Sequence, residues 1–230
     1  MKNYNHITHI FFDLDHTLWD FDKNSEKAFS QIFQKDFPKI DSQDFIKVYV
    51  PINQAVWKLY QKDEITSDQL RYMRLKQSFD ALKIEISDSQ IDEIANEYIR
   101  LLPENNHLFE GTIEVLDYLK PNYSLHIITN GFAEVQDKKL NNSGIRKYFE
   151  TITNSENAGA KKPNPVIYNH ALAIANANKE TSIMIGDCID ADVNGALDFG
   201  IEAIYCNYQQ VEVENNIKQI NHLSELKNHF

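Results

Sequence analysis

Phe11-Phe12-Asp13-Leu14-Asp15-His16-Thr17 and Ile185-Gly186-Asp187-Cys188-Ile189-Asp190-Ala191-Asp192 are two apolar runs that end in carboxylates. Each reads as a buried strand, and in an open parallel α/β sheet the carboxyl ends of the strands are where ligands bind. Carboxylates that converge on one spot repel one another unless a cation lies among them. A hard, oxygen-seeking ion such as Mg²⁺ meets that need. The two stretches together predict a parallel α/β sheet whose carboxyl edge carries a Mg²⁺-dependent phosphoryl-transfer site.

Working outward, Ile7 to Phe12 is the first strand candidate. Leu125-His126-Ile127-Ile128, Ser182-Ile183-Met184-Ile185 and Ala203-Ile204-Tyr205-Cys206 follow, with Thr151-Ile152-Thr153 a weaker one. Apolar runs this short could equally be buried helix, but Asn-Gly, Gly-Asp or Asn after them turns the chain. Helical spacing fills the intervals at Thr112–Leu119, Pro165–Ala175 and Ala191–Phe199. Alternating strand and helix implies a parallel sheet with right-handed crossovers.

The stretch from about Phe21 to Asn106 has no strand signal. Thr66-Ser67-Asp68-Gln69 and Ser87-Asp88-Ser89-Gln90 are capping-box patterns. Leu70, Met73, Leu75 and Phe79 follow the first at helical spacing; Ile91, Ile94, Tyr98, Leu101 and Leu102 follow the second. Pro51 is expected to break or kink the run from Asp44 to Tyr60. The reading is a module of about four helices, residues 21–105, inserted into a core made of 1–20 and 106–230. A module placed directly after a catalytic loop suggests a lid that excludes water. The tail after Asn207 is polar, with Leu223 and Leu226 hinting at a docked final helix.

A chain of 230 residues with a formal net charge of −11 repels a phosphate backbone, which argues against nucleic-acid binding. A small anionic substrate remains open, because one lysine and a cation set the sign inside a single pocket. The two cysteines, Cys188 and Cys206, make no disulfide framework and fit a reducing, cytoplasmic setting. No stretch approaches the ~20 apolar residues of a membrane span, and the N-terminus does not read as a signal peptide. Oligomeric state is not legible.

The chemistry-bearing residues fall into four groups. Asp13 and Asp15, two apart on an extended segment, leave on the same side, so one can serve as nucleophile and the other as acid and base. Asp187 can reach a metal directly. Asp192, about a turn into the next helix, can orient ligands from behind, and Asp190 is an alternative for that part. Thr129-Asn130-Gly131 ends a strand with a hydroxyl and exposed N–H groups, a small anion cradle. Gly159-Ala160-Lys161-Lys162-Pro163 offers a lysine to a phosphoryl oxygen. Each group alone is weak; in this order, after apolar strands, they supply what phosphoryl transfer needs.

Asp13-Leu14-Asp15-His16-Thr17-Leu18, Thr129-Asn130, Lys162-Pro163, and Gly186-Asp187 with Asp192 resemble the motifs of the haloacid dehalogenase-like hydrolase superfamily. The resemblance implies a Rossmann-like core with a helical cap after the first strand. It implies Asp13 as the nucleophile that forms an aspartyl-phosphate and Asp15 as the group that protonates the leaving oxygen and then activates water. Mg²⁺ would be held by Asp13, the main-chain carbonyl of Asp15, and Asp187. Thr129, Asn130 and Lys162 would bind the phosphoryl group, with Asp192 and Thr17 supporting the metal's surroundings. Within the cap, Trp57-Lys58-Leu59-Tyr60 and Ile65-Thr66-Ser67-Asp68-Gln69-Leu70, with Ile128-Thr129-Asn130-Gly131-Phe132, look like the bacterial pyrimidine 5′-nucleotidase branch. That resemblance implies a nucleoside monophosphate as substrate. Trp57 and Tyr60 are then candidates for substrate selection or plain cap core. Trp19 and Phe21, beside the catalytic loop, are candidates for stacking on a base or for hinge packing. Phosphoglycolate, a sugar phosphate or a phosphomutase reaction would use the same core residues. A dehalogenase needs neither Asp15 nor the metal, a receiver domain lacks the inserted helices, and a non-catalytic scaffold needs none of the four groups.

Overall fold

The computed structural model describes residues 4–230. Six strands, β1 (His9–Phe12), β2 (Ser124–Thr129), β3 (Phe149–Asn154), β4 (Ser182–Gly186), β5 (Glu202–Cys206) and β6 (Gln219–Ile220), form one sheet in the order β3-β2-β1-β4-β5-β6. All neighbouring pairs are parallel. Strands buried on both faces read as unbroken apolar runs, which is why Ile10-Phe11-Phe12 and Ile183-Met184-Ile185 show no alternation. The strand order reverses between β1 and β4, and at such a switch point the two carboxyl ends border a crevice. Phe12 pairs with Ile185, and the Asp13 amide donates to the Ile185 carbonyl at 2.9 Å. Asp13 and Asp187 are thus delivered to the same edge by register alone.

Two compact units divide the chain: residues up to Asp20 with His107–Phe230, and Phe21–Asn106. In the first, the helices are α5 (Thr112–Leu119), α6 (Ala133–Asn142), α7 (Ser155–Ala158), α8 (Pro165–Ala175) and α9 (Gly195–Phe199), numbered after the four helices of the second unit. Phe11, Ile128 and Met184 from the sheet pack with Ile167, Tyr168, Ala171 and Leu172 of α8 in one buried cluster. Fully burying a side chain of this size contributes roughly 1.5–3 kcal/mol. Across β1, β2 and β3 runs a polar thread: His9 Nδ1 to His126 Nε2 at 3.0 Å, and His126 Nδ1 to Thr151 Oγ1 at 2.9 Å. The tail closes with a 3₁₀ turn at Leu223–Asn228, where Leu223 and Leu226 are buried.

The second unit consists of α1 (Phe21–Asp36), α2 (Ser42–Gln61), α3 (Ser67–Ala81) and α4 (Asp88–Leu101), followed by a 3₁₀ turn at Leu102–Glu104. Both capping boxes form at Thr66 and Ser87. Its core is aromatic: Phe29 stacks on Tyr98 with ring centroids 4.5 Å apart and lies 4.8 Å from both Phe45 and Tyr49. Arg74 is buried there, its guanidinium 5.1 Å from the Tyr98 ring and donating to Asn53 Oδ1 at 3.3 Å.

The structure refines the sequence reading at three elements. Pro51 does not break α2, which runs unbroken from Ser42 to Gln61. Pro51 and Lys47, whose carbonyl loses its partner, are both exposed, so the missing hydrogen bond falls on the solvent side of the helix, where its loss costs least. The expected helix Ala191–Phe199 forms, but its first part is a wide π-helical turn at Ile189–Asn194 that runs into the short α9. The Cys188 carbonyl there accepts from both Asp192 and Val193 amides. Helix α6, unforeseen, follows the Asn130-Gly131 turn. No helix among the described residues is long and apolar enough to cross a membrane.

Candidate active site

Asp13 follows β1, Asp187 follows β4, and Asp192 lies in the wide turn behind β4. One carboxylate oxygen from each lies within 4.8 Å of the others, the metal-competent acidic group among the described residues. Lys162 enters this group from a loop. Its Nζ donates to Asp13 Oδ1 at 2.6 Å, Asp192 Oδ1 at 2.6 Å and the Ile128 carbonyl at 2.7 Å, with the side chain 2% exposed. A long lysine on a loop keeps one pose only if its backbone is held, and Asn130 holds it. Asn130 Oδ1 accepts from the Lys162 amide at 2.8 Å, and Asn130 Nδ2 donates to the Lys162 carbonyl at 3.0 Å. Asp192 Oδ2 accepts from the Cys188 amide at 3.0 Å, and Thr17 Oγ1 donates to Asp187 Oδ1 at 3.1 Å. A Cβ at Gly186 would collide with the Asp192 carboxylate, so that strand end requires glycine.

The electrostatics are short of positive charge: three carboxylates face one ammonium. Burial, then repulsion from Asp192 and Asp187, lifts the Asp13 carboxyl well above the usual carboxylate range despite the attraction of Lys162. Burial, then Asp192, pushes Asp187 up to about 8. Burial alone would lower the Lys162 ammonium, but Asp13 and Asp192 outweigh it and hold the proton on firmly.

Asp15 faces a different set of groups. Lys139 Nζ donates to its Oδ1 at 2.6 Å, and Gln136 Nε2 to its Oδ2 at 2.8 Å. Gln136 Nε2 also donates to Thr129 Oγ1 at 2.8 Å, and the Gly131 amide donates to the same oxygen at 3.0 Å. With both acceptor positions filled, the Thr129 hydroxyl proton is what remains to offer an anion. Gln136 and Lys139 were not singled out from the sequence. The available signal was their spacing of three on a helix that starts directly after the Thr129-Asn130-Gly131 turn, which sets both on one face.

The structure brings together Asp13, Asp187, Asp192, Lys162 and Thr17, and sets Asp15 beside Thr129. It selects between neighbours: Asp192 is buried on Lys162 while Asp190 is exposed, and Lys162 rather than Lys161 makes the Asp13 and Asp192 contacts. The Asp15 carboxylate lies outside the acidic group, held by Lys139 and Gln136, which leaves its main-chain carbonyl for a cation, the atom the sequence reading assigned to that part. The Asn130 side chain holds the Lys162 backbone through Oδ1 and one N–H of Nδ2, which leaves the second N–H of that amide to offer an anion. Trp19 is 0% exposed, with the Lys139 ammonium 4.3 Å from its ring centroid, so it packs the catalytic loop and offers no face to a base. In the second unit Phe21 and Tyr60 are buried, while half-buried Trp57 meets Tyr60 edge-on at 5.5 Å.

The profile of the haloacid dehalogenase-like hydrolase family matches residues 10–206. Pyrimidine 5′-nucleotidase PynA of Streptococcus pneumoniae is 32% identical over 88% of this chain and 85% of its own length. Pyrimidine 5′-nucleotidase YjjG of Escherichia coli is 31% identical over 90% of this chain and 89% of its own. Among solved structures, the HAD-hydrolase YfnB of Bacillus subtilis, bound to magnesium, superposes with a TM-score of 0.86 at 26% identity, covering 99% of this chain and 98% of that one.

Proposed function

The chain belongs to the haloacid dehalogenase-like hydrolases and is a phosphoric monoester hydrolase; on that premise we propose a Mg²⁺-dependent 5′-nucleotidase acting on pyrimidine nucleoside monophosphates. The observation that carries the reading is the charge imbalance at Asp13, Asp187 and Asp192, where one buried lysine faces three carboxylates. An all-oxygen donor set with an excess of two negative charges fits a hard divalent cation. Asp13, Asp187 and the main-chain carbonyl of Asp15 would hold Mg²⁺, which when bound neutralises phosphoryl oxygens and lets Asp13 stay ionised.

An Asp13 carboxylate oxygen attacks phosphorus while the bond from phosphorus to the 5′-oxygen breaks. Asp15 gives its proton to that departing oxygen, releasing the nucleoside. Water then attacks the aspartyl-phosphate at phosphorus, its proton passes to the Asp15 carboxylate, and the bond from phosphorus to Asp13 breaks, leaving phosphate and a free Asp13. Lys162 and the Thr129 hydroxyl offset charge on the transferring oxygens. The preference for a pyrimidine nucleotide is supported by the similarity to PynA and YjjG over most of the chain. The helical unit takes the part of a substrate-selecting cap, with Phe21, Trp57 and Tyr60 as its aromatic candidates. Free thiols at Cys188 and Cys206 support a reducing, cytoplasmic setting.

The test is phosphate release with Mg²⁺ across nucleoside monophosphates, sugar phosphates and phosphoglycolate. Preference for pyrimidine monophosphates is expected. Preference for a sugar phosphate or phosphoglycolate would overturn the nucleotidase assignment, and release from none of the esters would overturn the phosphatase mechanism.

A further inference from the structure

We propose that Gln136 and Lys139 are positioning residues: from one face of α6 they fix the Asp15 carboxylate so that it can protonate the leaving oxygen. This rests on the reading of Asp15 as the acid and base of the reaction. The two side chains grip opposite oxygens of one carboxylate, at 2.6 Å for Lys139 and 2.8 Å for Gln136, and both residues are buried. Two bonds to two oxygens fix the carboxylate's rotation as well as its place, which a single bond cannot do. Gln136 also ties Asp15 to Thr129 through the same nitrogen, so the proton-transfer group and an anion-binding hydroxyl share one anchor.

Three local costs converge on this arrangement. Lys139 and Asp15 form an ion pair with the lysine side chain only 3% exposed, and such a pair rarely repays its desolvation against an apolar contact. Gln136 Oε1 is buried with no hydrogen-bond partner among the described residues, because the amide is turned to aim its nitrogen at Asp15 and Thr129. Position 131 must lack a side chain for Gln136 to keep this pose, since a Cβ there would meet the Gln136 amide and push it aside. A helix needing only to dock on the sheet would meet none of these demands. They are met together where they serve one carboxylate.

Lys139→Gln, Gln136→Leu and Gly131→Ala test this, read as kcat/KM on two esters. One is a nucleoside 5′-monophosphate, whose alkoxide must be protonated to leave. The other is p-nitrophenyl phosphate, whose phenolate leaves unaided. Because kcat/KM covers only steps through leaving-group departure, hydrolysis of the shared intermediate does not enter it. For Lys139→Gln, which leaves the Gln136–Thr129 contact in place, a loss of about 10–100-fold on the nucleotide with less than about threefold on the aryl ester is expected, with Lys139→Arg restoring much of the nucleotide rate; Gln136→Leu and Gly131→Ala, which also release Thr129, should lose on both esters and more on the nucleotide. Gly131→Ala acts without altering charge: position 131 has no positive φ, so only the Gln136 amide is displaced. Equal loss on both esters in variants that keep the wild-type Tm would make α6 a structural support only, and no loss on either would overturn the proposal. Asp13→Asn separates the two levels. If it is silent while the α6 variants match wild type, only the positioning role fails; if it turns over, the reading of the site beneath it fails.

Discussion

Three carboxylates held within 4.8 Å of one another by a single lysine make a site that prefers to keep protons until a cation replaces them. Asp187 stands at about 8 against a usual value of 3.8, so between these limits the folded, metal-free protein binds more protons than the unfolded chain. Its stability therefore falls as pH rises through that window. His126, His9 and His229, lowered by burial, oppose the trend near pH 6.5 and fade above about 7.5, while Asp13 acts in the same direction as Asp187. The Tm of the protein in chelator should decline from pH 7.5 to 8, and the Tm gain from Mg²⁺ should grow over the same range as proton competition fades. Differential scanning fluorimetry with and without Mg²⁺ checks both. A flat metal-free Tm and a pH-independent Mg²⁺ effect would contradict the charge argument. Asp13 and Asp187 were legible in the sequence because a carboxylate that ends an apolar run has one place to go in a parallel sheet, whereas Lys162 was picked from its neighbour Lys161 only through the resemblance at Lys162-Pro163. Trp19 stayed open between base stacking and packing because its neighbours in sequence say nothing of the ring's partner: Lys139 lies 120 positions away, and only the fold brings it to the indole.

Elements differ in how much of themselves they announce. The capping boxes at Thr66 and Ser87 form as the pattern dictates, because their bonds are local. Thr66→Ala should destabilise the helical unit by about 1 kcal/mol, read as a lower urea midpoint for that unit. Helix α6 was not announced: Ala133–Asn142 is polar along most of its length, and what it buries includes Gln136 and Lys139, residues an apolar-periodicity search discards. The β1–β2–β3 thread was equally hidden, since His9, His126 and Thr151 look like solvent residues until the strands align them. Burial, reinforced by His9, lowers His126 from 6.5 to about 4. The unfolded chain therefore binds the extra proton between these values, and stability is lost as pH falls through them. His126→Gln should reduce that acid sensitivity, measured as the Tm difference between pH 6.5 and 4.5. An unchanged difference would place the acid sensitivity elsewhere.

At the scale of the whole molecule, the division into a sheet unit and a helical unit follows from a strand signal that vanishes after β1 and returns at β2. That boundary is coarse enough for composition and periodicity to find. What those cannot find is the switch point itself: β1 and β4 are neighbours although more than 160 residues separate them, and the pairing of Phe12 with Ile185 makes one site of two distant motifs. The central claim is that Asp13, at this junction, takes the phosphoryl group. The most direct measurement is an acid quench of the Mg²⁺-loaded protein during turnover of a pyrimidine monophosphate, followed by mass spectrometry of the peptide that contains Asp13. The account predicts that this peptide gains the mass of one phosphoryl group in the wild type, and that the gain is absent in Asp13→Asn and in chelator. Steady turnover by Asp13→Asn, or a phosphoryl group carried on another residue, would contradict it.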